Sequence, residues 1–150
     1  MPCTYSSLAT HVTFSTKQRQ PSITPDLEER LLPYLGGIVR QLGGMALAAN
    51  AVPDHVHLLV TLPPTIAISE AVGKIKGSSS KWVHDSFSER RLFAWQRGFG
   101  AFSVSRSNVA TVARYIEGQK EHHRKVTFED EFARLLTRHG VDFDPRYLLE

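Results

Sequence analysis

Met45-Ala46-Leu47-Ala48-Ala49-Asn50-Ala51-Val52-Pro53-Asp54-His55-Val56-His57-Leu58-Leu59-Val60-Thr61-Leu62 is the stretch on which the fold turns. Met45 to Val52 and His55 to Leu62 are two mostly apolar runs of strand length, and only the tight Pro53-Asp54 connection separates them. That pattern predicts an antiparallel hairpin. Side chains alternate along a strand, so His55 and His57 share one face, while Val56, Leu58 and Val60 point into the core.

Upstream of the hairpin, Leu8 to Phe14 alternates as another strand, Leu8, Thr10, Val12 and Phe14 against Ala9, His11 and Thr13. Thr24-Pro25-Asp26 opens a helix: Thr24 can cap, and Pro25 has the required φ and lacks an amide the first turn would not use. Leu27, Leu31, Leu35, Ile38 and Leu42 recur at helical spacing until Gly43-Gly44 stops the run. Pro33 and Gly36-Gly37 predict a kink within it. Downstream, Pro63-Pro64 ends the second hairpin strand. A helix from about Ile68 to Phe87 then follows, with Ile68, Ala71, Val72, Ile75, Trp82 and Val83 on one face. Leu92 to Ser105 is aromatic and broken by Gly98 and Gly100, which predicts a short strand with an irregular approach. Ser107 or Asn108 can cap a helix through Tyr115 to about Arg124. A last amphipathic helix spans about Glu129 to Arg138, before Gly140.

Strand, helix, strand, strand, helix, strand is the α+β, ferredoxin-like (split βαβ) order. It predicts a four-stranded antiparallel sheet with two helices on one face and the other face free for a site, plus an added helix bearing Tyr115. No repeat, low-complexity tract or long linker divides the chain, so residues 1–150 read as a single domain.

Composition excludes little. Lys and Arg number 18 against 15 Asp and Glu, a net +3 that permits a nucleic-acid partner without requiring one. Cys3 is the single cysteine, which rules out an intrachain disulfide and an all-Cys zinc site and suits a reducing compartment. The first residues lack the charged start and apolar stretch of a secretory signal, and no apolar run reaches the roughly 20 residues of a membrane span. A cytoplasmic protein is the expectation.

His55 and His57 in register offer two neutral nitrogen ligands, half of a metal site. Taken alone the pair could equally be two hydrogen-bonded histidines, and it needs a third ligand. Tyr115 and Gln119, four residues apart, project from one helix face at the edge of the stripe Val109, Val112 and Ile116. A phenol with a pKa of about 10 is a poor nucleophile near neutrality. A divalent ion that polarises a phosphodiester makes it useful. Two imidazoles with an amide oxygen form an open, fairly hard set that suits Mg2+ or Mn2+ more than a closed zinc site.

Asp54-His55-Val56-His57-Leu58-Leu59-Val60 followed by Tyr115-Ile116-x-x-Gln119 closely resembles the single-tyrosine HUH transposases of insertion sequences, where HUH stands for histidine, hydrophobe, histidine. His11 to Lys17, Val72 to Ser79 and Trp95 to Val104 are similar to family segments in the same order, so the resemblance runs from about Thr10 to His123. It implies a ferredoxin-like fold, a Mg2+- or Mn2+-dependent site, and a single-stranded DNA substrate with hairpins. It further implies a 5′-phosphotyrosine intermediate that leaves a free 3′-hydroxyl, and a homodimer. Matched residue by residue, it makes Tyr115 the nucleophile, His55 and His57 two metal ligands, and Gln119 the third. A domesticated relative acting on repetitive extragenic palindromes would share this chemistry. A catalytically silent single-strand binding module lacks support, because the RNP-type aromatic pattern is absent. A zinc hydrolase on His55 and His57 lacks a third ligand at a convincing spacing and needs no tyrosine.

Lys74, Lys76 and Lys81 on the second helix, and Arg90, Arg91 and Arg97 interleaved with Phe93, Trp95 and Phe99, are candidates for phosphate contact and base stacking. The aromatics suit the core at least as well. His122 returns to the Tyr115 face, and His123 sits one turn beyond Gln119. Either could reach a metal or DNA, and both also suit a helix C-terminus. The segment after about Val126 has no assigned role.

Overall fold

The structure is a computed structural model and describes residues 3–150. Four strands, β1 (Ala9–Ser15), β2 (Met45–Val52), β3 (His55–Thr61) and β4 (Gly100–Val104), form one sheet in the order β2-β3-β1-β4. Every neighbouring pair is antiparallel. The hairpin β2–β3 forms in the expected register, with Val52 opposite His55 and a bulge between Ala46 and Ala48. This is the split βαβ arrangement that the element order predicts.

Helix α1 (Pro25–Gln41) buries Leu27, Leu31, Leu35, Ile38 and Val39, and it runs unbroken through Pro33. Gly43 follows with φ +89°, a left-handed conformation that stops the helix and that a β-carbon would strain. Helix α2 (Ile68–Ser86) buries Ala71, Val72, Ile75 and Val83. Both helices pack on the sheet face that carries Val12, Phe14, Val56, Leu58 and Val60, and this layer is the main core. Phe93 and Trp95 belong to that core, and Phe99 packs against it.

The opposite face carries His11, Thr13, Ser15, His55 and His57, because residues paired across antiparallel strands share a face. The sequence predicts this face free. Instead, helices α3 (Val109–Glu117), α4 (Gln119–His122) and α5 (Phe128–Arg138) cover it. Ile116 packs with Ala9, Leu59 and Val104, while Phe128, Phe132, Leu135 and Leu136 of α5 pack on Phe102. The reason is the apolar stripe of α5, which has to be buried and finds its surface here. Gly100 makes the approach possible: a β-carbon there would lie 2.6 Å from the Phe132 ring. Thr127 caps α5 by accepting from the Asp130 amide at 3.2 Å.

One boundary differs from the sequence reading. The helix through Tyr115 is divided at Gly118 rather than continuing whole to about Arg124. The Asn50 side chain, reaching across from β2, donates to the carbonyls of Ile116 (3.0 Å) and Glu117 (3.2 Å) at that junction. No helix of the described residues is long and apolar enough to cross a membrane.

Candidate active site

Alternation along β3 places His55 and His57 side by side on the covered face, 0% and 1% exposed. Each imidazole is held at its Nδ1 and turned so that Nε2 faces a common point. His55 Nδ1 is 2.7 Å from Asp54 Oδ1, and His57 Nδ1 is 2.7 Å from His11 Nε2. A third ring repeats the arrangement: His123, just beyond α4, donates from Nδ1 to the Val126 carbonyl at 2.6 Å. A ring that donates through Nδ1 keeps its Nε2 lone pair free, the arrangement in which histidine binds a metal.

Glu131 of α5 supplies the carboxylate at that point. Its Oε1 lies 2.9 Å from Nε2 of both His57 and His123, and 3.4 Å from Nε2 of His55. Its Oε2 accepts hydrogen bonds from the Tyr115 hydroxyl and, at 2.8 Å, from Gln119 Nε2. His122 Nε2 stands 3.5 Å from the same oxygen. Thus the sequence-predicted Tyr115, His55, His57 and Gln119 do come together, and a further helix brings the group that joins them.

The charges are set by burial against this network. Burial opposes ionisation of Glu131, but the imidazoles of His123, His55 and His57 gathered around it outweigh burial and hold the carboxyl far below the usual range. Burial pushes His57 down to about 4, and burial with the neighbouring His57 pushes His11 down to about 3. For His55 burial is outweighed by the hydrogen bond to Asp54 and by the nearby Glu131 carboxylate, so its pKa is raised. Burial and the adjacent Glu131 charge push the Tyr115 phenol up.

This donor set fits a divalent cation. His55, His57, His123 and Glu131 offer ligand atoms that all lie within 4.8 Å of one another. Two further facts favour the fit. His55 Nε2 and Gln119 Oε1 are buried without a hydrogen-bond partner, a costly state that a cation within reach would relieve. Three imidazoles and a carboxylate are richer in nitrogen than the ligand set read from the sequence, which shifts the preference from Mg2+ toward Mn2+ or Zn2+.

Sequence reasoning missed Glu131, His11, Asp54 and Asn50. Glu131 did leave a signal: it is a carboxylate inside the apolar stripe Phe128, Phe132 and Leu135, and it is 2% exposed. His11 had none, since its partner His57 is 46 residues away.

The expected DNA-contacting residues lie elsewhere. Lys74 and Lys81 stand on α2, across the sheet from the histidines, in ion pairs with Glu70 and Asp85. Lys76 Nζ donates to the carbonyls of Arg97 (3.0 Å) and Gly98 (2.8 Å) and is lowered to about 8 by burial. Arg91 and Arg97 are exposed. Arg90 instead ties the chain together by donating to the Ser22 carbonyl and the Thr24 hydroxyl.

Comparison with known proteins points the same way. Residues 4–119 match the family model described as "Transposase IS200 like". The chain is 28% identical over 119 residues to the transposase for insertion sequence element IS200 of Salmonella typhimurium, covering 76% of this chain and 78% of that one. It is 27% identical over 116 residues to the ISDra2 transposase TnpA of Deinococcus radiodurans, covering 74% and 83%. Among solved structures, a candidate transposase from Deinococcus radiodurans R1 superposes with a TM-score of 0.63 at 26% identity, over 79% of this chain and 96% of the other. A REP-associated tyrosine transposase bound to a REP hairpin shares the fold, with a TM-score of 0.61 at 18% identity over 98% and 91%.

Proposed function

Because this chain belongs to the IS200-like transposase family, we propose that it cuts and rejoins single-stranded DNA, with Tyr115 as the nucleophile and a divalent metal at His55, His57, His123 and Glu131. The observation that carries the reading is Glu131 itself. One carboxylate oxygen faces three imidazole Nε2 atoms, and the other accepts the Tyr115 hydroxyl. Nucleophile and cation seat are thereby joined through one side chain.

A cation held there would neutralise charge on the scissile phosphate and reverse the local field that now raises the phenol. The Tyr115 oxygen attacks phosphorus, and the bond from phosphorus to the 3′ oxygen breaks. The phenolic proton passes to Glu131 Oε2, its hydrogen-bond acceptor. The departing 3′ oxygen takes up that proton, passed on from Glu131 through solvent, and leaves as a hydroxyl, with the 5′ phosphate on Tyr115. Gln119 would steer its amide oxygen, which lacks a partner, toward the cation, while Nε2 keeps Glu131 in place. The nitrogen-rich donor set supports Mn2+ over Mg2+ as the working ion. DNA bearing hairpins is the proposed substrate form, as the resemblance implies and as a relative of the same fold binds a REP hairpin. A cytoplasmic homodimer is the proposed assembly, although every group named here comes from one chain and a partner is not needed to complete the site.

The test is a denaturant-resistant adduct between the protein and single-stranded oligonucleotides carrying hairpins, in the presence of Mn2+. The adduct should map to Tyr115, vanish in Tyr115→Phe by at least about a thousandfold, since no other nucleophile is placed in line, and vanish with a chelator. Cleavage that survives the chelator, or an adduct on another residue, would sink the mechanism.

A further inference from the structure

Beside Tyr115 opens a cleft of about 580 Å³ between α3, β4 and α5, lined among others by His11, Phe102, Tyr115, Arg134, Arg138 and His139. The volume lies within the range of roughly 300–1,000 Å³ typical of small-molecule sites, enough for a nucleotide. Its far wall is α5, which lies beyond residue 119, where the family match ends. The helical repeat that sends Glu131 into the site sends Arg134, three residues on, and Arg138, seven on, along the same face. Both guanidiniums are exposed, and among the described residues neither has a hydrogen bond or an ion pair. The charge of Arg138 reaches the Tyr115 phenol, and that of Arg134 reaches His122. At the same wall Phe102 and His139 are stacked, with ring centroids 4.5 Å apart and planes 27° apart. His139 is fixed there by a 2.8 Å bond to the Leu135 carbonyl.

Two unpaired guanidiniums one turn apart and an aromatic platform, opening onto a tyrosine, have the chemistry of a single-stranded nucleic-acid groove: cations for the backbone, a π face for a base. We propose that this cleft is the subsite for the single-stranded nucleotide next to the phosphate that Tyr115 attacks, with Arg134 and Arg138 on the phosphates and the Phe102–His139 pair against the base. It rests on the transposase reading for the role of Tyr115, but the contacts themselves can be measured without any cleavage. The basic residues of α2, on the other side of the sheet, cannot serve this position.

The experiment follows binding of a fluorescent oligothymidylate of about a dozen nucleotides, a length suited to a single-strand groove, to the full chain by anisotropy across a salt series. Arg134→Ala/Arg138→Ala should weaken binding at least about tenfold and flatten the log K against log salt slope by about 1.4, near 0.7 for each phosphate left without its guanidinium. Arg134→Lys/Arg138→Lys should keep most of the slope. Arg146→Ala, whose side chain is held by Asp144, should change neither quantity. Both target arginines are exposed, and unchanged melting temperatures check that the variants fold. Iodouracil-substituted oligonucleotides should cross-link to Phe102 or His139. An unchanged slope in the double alanine variant, or cross-links confined to α2, overturns the proposal. The Tyr115 adduct separates the two readings. An adduct with an unchanged salt slope removes the cleft and keeps the transposase. A flattened slope without any adduct keeps the cleft as a single-strand site and removes the transposase.

Discussion

At the scale of the residue, the site depends on side chains that hold other side chains. His11 never faces the common point, yet its Nε2 fixes His57 Nδ1 at 2.7 Å and so determines which nitrogen of His57 is turned inward. Asp54 does the same for His55. Partners of this kind commonly change metal affinity by about 10- to 100-fold when removed. His11→Gln should therefore weaken Mn2+ binding by about that factor, read by calorimetry, with the ligands themselves intact. Unchanged affinity would mean that His57 keeps its orientation without His11. The sequence pointed to Tyr115, His55, His57 and Gln119 because alternation on a strand and a four-residue step on a helix are local rules. It was silent on His11 and on Glu131's role because neither is within local reach of the groups it serves.

At the scale of the element, α5 decides whether the site exists. It buries Phe128, Phe132, Leu135 and Leu136 against the sheet, and this packing carries Glu131 inward from the middle of the stripe. Its seat is shaped by Gly100, where a β-carbon would meet the Phe132 ring at 2.6 Å. Gly100→Val should therefore destabilise the fold by about 1–3 kcal/mol, the usual cost of overpacking. It should also weaken metal binding, because Phe132 adjoins Glu131. A variant as stable as the parent in denaturant melts would show that α5 can shift freely. On the other flank, Asn50 holds the carbonyls of Ile116 and Glu117, and Lys120 Nζ in turn donates to Asn50 Oδ1 at 2.9 Å. That junction fixes the angle between Tyr115 at the end of α3 and Gln119 at the start of α4.

At the scale of the whole molecule, a core on one face of the sheet supports a polar, buried site on the other, and the metal-free protein should register the cost in its pH dependence. Burial lowers His57 to about 4 and His11 to about 3, from 6.5 for each in the unfolded chain. Below about pH 6.5 the unfolded state takes up protons that these two folded rings refuse. Stability is therefore intact above that pH and is lost progressively on the way down to the folded values. His55, raised, titrates on the alkaline side of 6.5 and adds no slope below it, so the two lowered rings together cost up to about 2.7 kcal/mol per pH unit. The melting temperature of the chelator-treated protein should fall as the pH drops from about 7 to about 5, and a flat or rising profile would contradict this balance. The sequence by itself determined the strand and helix order, the shared face of His55 and His57 and the pairing of Tyr115 with Gln119, because these follow from periods of two and 3.6 residues along a short stretch of chain. Only the tertiary structure decided that α5 covers the site face, that His123 and Glu131 complete the donor set, and that His11 and Asn50 hold the pieces in place. Those contacts join residues as distant as His57 and Glu131, 74 positions apart, and it is the burial of apolar faces against the sheet, rather than any local pattern, that brings them together.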